Sequence, residues 1–523
     1  MGIPNYFSYL IRNHSEVLCQ PAKIVKDKVV FDALYMDCNS ILYDCFRKIP
    51  VSEYNDLKLI ELTANEIEKH ISRIAPTQTI YIAFDGVAPM AKMDQQRTRR
   101  YKSWFESCVM KKILPSNDDL KITTSMFTPG TDFMNKLTVF MRAHFRSTKV
   151  IVATPDEPGE GEHKLFAHIR SFPCQTCAIY GLDADLLMLA LFHLSYCPNI
   201  YIFREAPHFG VTSPQQTSDP LFLNINKLGR SIANEMRCSA MDSHRICDYI
   251  FMCFLLGNDF LPHFPGLNIR TVGIQSLLEA YRTVIGNAQE RFLISRQMKI
   301  QWNEVSALIN ELAKRENNFI LDEYAKRRKW DLTPVDITRR NTAKEKTEVF
   351  QNTPMLYRRE EKTICPEEVG WEARYYKLLF PADINIQDVC INYLEGLEWV
   401  FQYYTAGKVD WAWKYKYQYP PLLKDLAPMI PINNATIFLA VRKTSPVKAQ
   451  TQLAYVLPPV HHHLLNQTLA KKLRTQYKQY YVGFPNEDGI PQLQFQWAFC
   501  RYFWESHVML PDIPLHVLED IDR

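Results

Sequence analysis

Through its first 275 residues the chain alternates between short apolar runs of strand character and amphipathic helical stretches, and aspartates close the strand runs. Leu34–Asp37 ends one such run, Thr79–Asp85 is a second, Val150–Ala153 a third and Thr176–Asp183 a fourth. Their β-branched and aromatic content marks buried strands. Asp56–Ile74 and Thr131–Phe145, lying between them, carry the helical period. This alternation predicts an α/β fold with a mostly parallel central sheet flanked by helices. Ligands of such sheets bind outside the carboxyl ends of the strands, where Asp37, Asp85 and Asp183 fall.

Further acids stand in equally distinctive settings: Glu160 and Glu162 in Glu-Pro-Gly-Glu-Gly-Glu-His, Asp185 in Gly-Leu-Asp-Ala-Asp, and Asp259 in Leu-Leu-Gly-Asn-Asp-Phe-Leu-Pro. A buried carboxylate is costly unless it is paired or bound to metal. In an extended segment residues two apart share a side, so Asp183 and Asp185 are expected to reach one cavity, and so are Glu160 and Glu162 if that loop is extended. Taken singly, each acid reads first as a helix N-cap or turn residue; taken together, at strand ends, they read as a site. Oxygen donors without His or Cys suit Mg²⁺ or Mn²⁺ rather than zinc, and two such ions can serve a phosphodiester reaction.

Glycine is scarce, at 17 of 523 residues, and neither the dinucleotide nor the P-loop fingerprint occurs. Phosphate must therefore be handled without Gly-rich loops. The formal net charge of +4 does not announce a nucleic-acid binder, but the charge is unevenly spread. Between Lys92 and Lys112 there are seven basic residues against two acidic ones. On a helix Lys92, Gln96, Arg99 and Arg100 share a face, which beside Asp85 reads as a phosphate clamp with Arg as the bidentate donor. An ordinary solvated basic helix is the plainer alternative. Tyr43, and Trp411 and Trp413 interleaved with Lys, suit stacking on single-stranded nucleic acid, although most aromatics of that region read as core.

Residues 1–280 are expected to form a nuclease-like catalytic region. Residues 281–369 read as a helical insert and linker, with a helix over Gln301–Glu323 followed by the basic run Lys326–Lys329. That run reads as a nuclear signal, a nucleic-acid patch or a solvated helix end. Residues 370–523 form an aromatic-rich second region that completes the pocket. The 13 cysteines show no regular spacing, and no signal peptide opens the chain, so reduced thiols in a cytosolic or nuclear protein are expected. Cys174-x-x-Cys177, with no second pair or nearby His set, reads as two packed thiols rather than a zinc site. His461–His463 reads as a loop without partners. The longest apolar stretch, Tyr249–Leu256, is too short to span a membrane.

These motifs, in this order, resemble the Xrn family of 5′→3′ exoribonucleases. The N-terminal Met-Gly-Ile-Pro-Asn-Tyr-Phe is similar to the family's opening, and Asp85-Gly-Val-Ala-Pro-Met-Ala-Lys-Met-Asp-Gln-Gln-Arg-Thr-Arg-Arg100 is the most specific match. Phe127–Met134, Pro158–Lys164, Tyr180–Leu186 and Gly257–His263 follow, then Asn392–Trp399, Trp411–Trp413, Tyr417–Pro421, Leu453–Pro458 and Val508–Pro514. The resemblance covers nearly the whole chain. It implies a PIN/flap-nuclease-like fold and processive hydrolysis of single-stranded RNA bearing a 5′-monophosphate to nucleoside 5′-monophosphates. Asp37, Asp85, Glu160, Glu162, Asp183, Asp185 and Asp259 would hold two Mg²⁺ ions, with Mn²⁺ able to substitute. Lys92, Gln96, Arg99 and Arg100 would form the 5′-phosphate pocket, and Tyr43 and Trp413 would stack on the terminal base. Tyr43 replaces a family His, Met90 an Arg and Asp94 an Asn, departures that predict weaker 5′-phosphate affinity. The resemblance further implies a minimal, monomeric, non-membrane form working in the cytoplasm, with the nucleus left open, alongside decapping machinery. A structure-specific 5′ flap endonuclease and an inactive RNA-binding adaptor are the alternative readings.

Overall fold

The computed structural model describes residues 5–114, 123–181, 183–205, 220–238, 242–329, 342–407, 409–434, 437–439, 444–483 and 489–522. Its centre is a seven-stranded sheet: β1 (Leu18–Cys19), β2 (Ala33–Asp37), β3 (Thr79–Ala83), β4 (Val150–Ala153), β5 (Thr176–Tyr180), β6 (Asn199–Glu205) and β7 (Pro220–Asn224), in the order β1-β7-β6-β5-β2-β3-β4. The five strands from β6 to β4 run parallel; β7 and β1 close one edge antiparallel. The fold class is therefore the expected one.

The chain builds outward from β2 in two directions, through β3 and β4 on one side and through β5 and β6 on the other. This reversal between β2 and β5 opens a crevice at the strands' carboxyl ends. Helices cover both faces. Asp56–Ile74 and Asp132–His144 form as expected, each started by a side-chain cap, Asn55 Oδ1 and Thr131 Oγ1 respectively. One face packs Leu34, Met36, Ile80, Ile82 and Tyr180 against these helices. The other face, with Tyr35, Ala83 and Ile179, joins a core that runs on without a break into the helix Ile386–Thr405 of the second region.

The basic run differs from expectation. The helix expected to stop at Glu323 continues as Trp302–Arg328 and takes the run in. Arg327 is buried, its guanidinium on Glu361 at 2.5 and 2.9 Å, with Arg358 on the same carboxylate at 2.8 Å. An apolar helix face carried through Ile320 and Tyr324 turns Arg327 inward, where Glu361 offsets the burial. Arg328 pairs with Glu367 at 2.6 Å near the surface. The polar stretch after Lys329 lies outside the described residues. No helix of the described residues is long and apolar enough to cross a membrane.

Candidate active site at the carboxyl end of the sheet

All seven predicted acids gather around the crevice, but by a different local geometry from the one the spacing suggests. Glu160 and Asp183 are not in extended segments. They stand at the N-cap positions of the helices Gly161–Ser171 and Ala184–Phe192, with Glu162 and Asp185 in the first turns. Asp37 likewise precedes the helix Cys38–Lys48. β2 passes directly into the helix Cys38–Lys48 and β5 reaches Ala184–Phe192 after three residues, whereas seven residues lead from β4 to Gly161–Ser171. An N-cap acid ordinarily accepts a bond from its own helix, yet none of these three makes a side-chain cap bond. Their carboxylates serve the crevice instead, in the favourable field of three helix N-termini.

Asp85 is held from two sides: Gly161 N donates to its Oδ1 at 2.7 Å, and Asn39 Nδ2 donates to its Oδ2. A Cβ at Gly161 would stand 2.8 Å from Asp37 Oδ1 and 3.4 Å from Asp85 Oδ1 and would push the Asp37 carboxylate aside. Lys92 reaches in from the helix Met90–Ile113 and bridges Glu160 Oε2 at 2.6 Å and Asp259 Oδ2 at 2.9 Å. Lys92 thus ties carboxylates together rather than projecting alongside Arg99 and Arg100. Asp183 is exposed at the rim.

Sequence reasoning missed a third layer. Tyr403 OH donates to Glu160 Oε1 at 2.5 Å and Tyr404 OH donates to Asp185 Oδ1, both from the helix Ile386–Thr405. His163 stacks on Tyr403 at 3.5 Å between ring centroids. The adjacent Tyr pair was visible in the sequence, but nothing local aims it at acids more than 200 residues earlier. Asn39, two residues after Asp37, was the more findable partner.

The electrostatics are lopsided. Burial, then repulsion from Asp85 and Asp183, pushes the Asp37 carboxyl up. Burial and Asp185 do the same to Glu162, and burial and Asp259 lift Asp185 to about 6. Burial also works against charge on Asp259, but Lys92 outweighs it and holds that carboxyl down at about 2. One lysine therefore compensates one side of the cluster and leaves the other over-charged. Asp37 Oδ1 is buried with no hydrogen-bond partner. An oxygen-only donor set with surplus negative charge and an orphaned buried oxygen fits hard divalent cations.

Beside the acids lies a 370 Å³ cavity lined by Tyr43, Arg99, Arg100, Ser103, Ser125 and His461, among others. Arg100 Nη2 donates to Thr128 Oγ1 at 2.6 Å, while its Nη1 and Gln96 Oε1 are buried without partners. Burial lowers the Arg100 guanidinium to about 10, an environment suited to an anion. Tyr43 packs edge-on against Phe127 at the cavity wall. Trp413 is placed elsewhere: it is buried, stacks on Trp399 at 5.2 Å and donates to Glu395 at 3.2 Å, and it lines neither this cavity nor its neighbour. That neighbour, of 520 Å³, is bordered by Arg99, Lys102, Asp259, Lys414, Tyr417 and the exposed Trp504. His461 is no partnerless loop residue, since its Nδ1 meets Ser125 Oγ at 3.0 Å. Met90 is buried, and Asp94 is engaged by Lys414 at 3.0 Å and by Tyr455.

Residues 1–206 match the family model described as XRN 5'-3' exonuclease N-terminus, and residues 240–365 and 357–482 match the one described as Xrn1 helical domain. Among curated proteins, 5'-3' exoribonuclease 2 of Arabidopsis thaliana is 24% identical over 98% of this chain and 66% of its own length. The 5'-3' exoribonuclease 1 of Homo sapiens is 26% identical over 98% of this chain, which spans 33% of that protein. The Saccharomyces cerevisiae 5'-3' exoribonuclease 1 is 25% identical over 82% of this chain and 37% of its own. A solved structure described as the catalytic core of Rad2 in complex with DNA substrate aligns with 81% of this chain and 94% of its own, at 11% identity and a TM-score of 0.33, too loose to argue from.

Proposed function

Since the chain belongs to the Xrn family of 5′→3′ exonucleases, we propose that it is a processive 5′→3′ exoribonuclease that cuts 5′-monophosphorylated RNA to nucleoside 5′-monophosphates. The observation that carries this reading is the juxtaposition of the carboxylate crevice with a cavity lined by Arg99 and Arg100. Asp37, Asp85, Glu160, Glu162, Asp183, Asp185 and Asp259 would hold two Mg²⁺ ions, which when bound supply Lewis acidity and a nucleophilic water for phosphodiester hydrolysis.

The chain's own residues do the rest. Arg99, Arg100 and Gln96 bind the terminal phosphate, with Arg as a fork-shaped donor. On this reading the substrate is RNA that decapping or an earlier cut has already opened. Tyr43 stacks on the first base at the cavity wall. Lys102, Lys414, Tyr417 and Trp504 line the path of the following single strand by charge and stacking. Lys92, Tyr403 and Tyr404 hold three of the carboxylates in place, so the metal ligands are pre-set rather than gathered by the ion. Asp94 is already spent on Lys414, which confines the loss of phosphate affinity predicted from Met90 and Asp94.

The deciding experiment gives the protein end-labelled RNAs bearing 5′-monophosphate, 5′-triphosphate or 5′-hydroxyl, with and without Mg²⁺. Mononucleotides from the monophosphate alone, and only with Mg²⁺, are expected. A released oligomer from flapped DNA would point to the flap endonuclease, and bound but uncut RNA to the adaptor.

A further inference from the structure

At the end of the sheet opposite the carboxylates, three thiols converge. Cys174 lies just before β5, Cys177 within it and Cys197 just before β6, and β5 and β6 run parallel from there. Cys174 Sγ and Cys197 Sγ are 3.5 Å apart, Cys197 Sγ and Cys177 Sγ are also 3.5 Å apart, and all three lie within 4.8 Å of one another. Among the described residues no other group of His, Cys, Asp or Glu ligand atoms is drawn so tight. Sulfurs bound tetrahedrally to one zinc at about 2.3 Å would stand roughly 3.8 Å apart, within a few tenths of an ångström of the two 3.5 Å separations here. Cys177 and Cys197 are fully buried and Cys174 half-buried, so the triangle opens to water on one side only.

The lone Cys-x-x-Cys of the sequence thus acquires its third member 20 residues later. Three neutral thiols gain little from meeting at a strand junction, because each is a weak donor. Three thiolates around a soft cation gain a great deal, and thiolate donors select zinc over magnesium. We propose that Cys174, Cys177 and Cys197 form a Zn²⁺ site, with water as the fourth ligand on the Cys174 side. Binding would release the three thiol protons to solvent. The ion would staple the starts of β5 and β6. It would be distinct from the catalytic metals in both place and ligand chemistry, and its role is structural.

The test uses the full chain, purified under reductant and loaded with Zn²⁺ or Co²⁺. One equivalent of zinc per chain should survive desalting. Co²⁺ should produce a near-ultraviolet sulfur-to-metal charge-transfer band, which carboxylates cannot give. Cys174→Ser, at the half-buried position that folding tolerates best, should weaken binding at least about 100-fold and abolish the band. Thermal melting with and without zinc should separate for the parent chain and coincide for Cys174→Ser. Absence of the charge-transfer band from the folded parent chain would overturn the site, as would a band unchanged in both Cys174→Ser and Cys197→Ser. So would a Cys174–Cys197 disulfide in the isolated protein that, once reduced, takes up no zinc.

Discussion

Asp185 and Arg100 separate the two halves of the proposed reaction. Asp185→Ala removes one of the proposed oxygen ligands and leaves the proposed phosphate cavity intact, so RNA should still bind in a filter assay while turnover falls below detection. Turnover close to the parent rate would remove Asp185 from the metal site. Arg100→Ala should raise KM for 5′-monophosphate RNA tenfold or more while leaving the 5′-hydroxyl substrate nearly unaffected; the loss of a charge-assisted bond is worth about 1.5–3 kcal/mol. Tyr404 makes a subtler case. Tyr404→Phe removes only the hydroxyl that holds Asp185, so kcat should fall roughly tenfold with KM unchanged, equivalent to about 1.4 kcal/mol of lost positioning. Equal loss in both constants would make Tyr404 a structural residue alone. At this scale Asp37, Asp85 and Asp183 were legible because each stands just past a recognisable strand. Tyr403 and Tyr404 were not, because a hydrogen bond across 219 residues leaves no local pattern.

The recurring element is a strand followed by a helix, with an acid at the helix N-terminus. It occurs after β2, again at Gly161–Ser171 following β4, and again after β5. Two glycines pack against these junctions, Gly161 at the start of its helix and Gly86 from the loop after β3. At Gly161 a methyl would meet Asp37 Oδ1 at 2.8 Å. Gly161→Ala should therefore displace Asp37 and depress kcat strongly, with a melting temperature near that of the parent, because the clash is with a movable carboxylate. At Gly86 a Cβ would stand 1.7 Å from the Glu157 carbonyl oxygen, which is backbone. Gly86→Ala should instead unfold or severely destabilise the protein, by more than about 3 kcal/mol, seen as a lost or broadened melting transition. Two Gly→Ala changes of the same chemistry thus separate site from scaffold. The extended geometry expected for Asp183 with Asp185, and set as the condition for Glu160 with Glu162, is replaced at this scale by helix N-termini. A two-residue spacing puts side chains on one side of a strand, but across a helix N-terminus the N-cap and second helical residue also converge, so spacing alone could not decide between them.

At the scale of the molecule the second region closes the first. Met90 N donates to Trp411 O at 2.9 Å, and Arg97 reaches Tyr480 O and Pro511 O at 2.8 Å. Far from the carboxylates, Glu316 of the helix Trp302–Arg328 accepts from Leu423 N at 2.6 Å and Lys424 N at 3.0 Å. Burial nevertheless lifts its carboxyl to about 7. The folded state therefore holds this proton where the unfolded chain has released it, and stability must fall as pH rises from about 4.5 through about 7. Glu316→Gln, which keeps the shape and removes the titration, should flatten that part of the melting-temperature profile. A slope unchanged in the variant would assign it to other groups.

The sequence by itself determined the α/β class, the parallel strands and the acids at their ends, because strand period and apolar runs are local properties of the chain. It also determined the family, through motifs that need no coordinates. Tertiary structure alone decided what those residues do to one another. It turned Lys92 from a member of the phosphate face into a bridge between Glu160 and Asp259, buried Trp413 on Trp399, drew Arg327 onto Glu361 and brought Cys197 to Cys174 and Cys177. Each depends on distance and burial between segments far apart in the chain. Pairing energies there are set by the dielectric and the geometry of the folded interior, and no sequence window contains either.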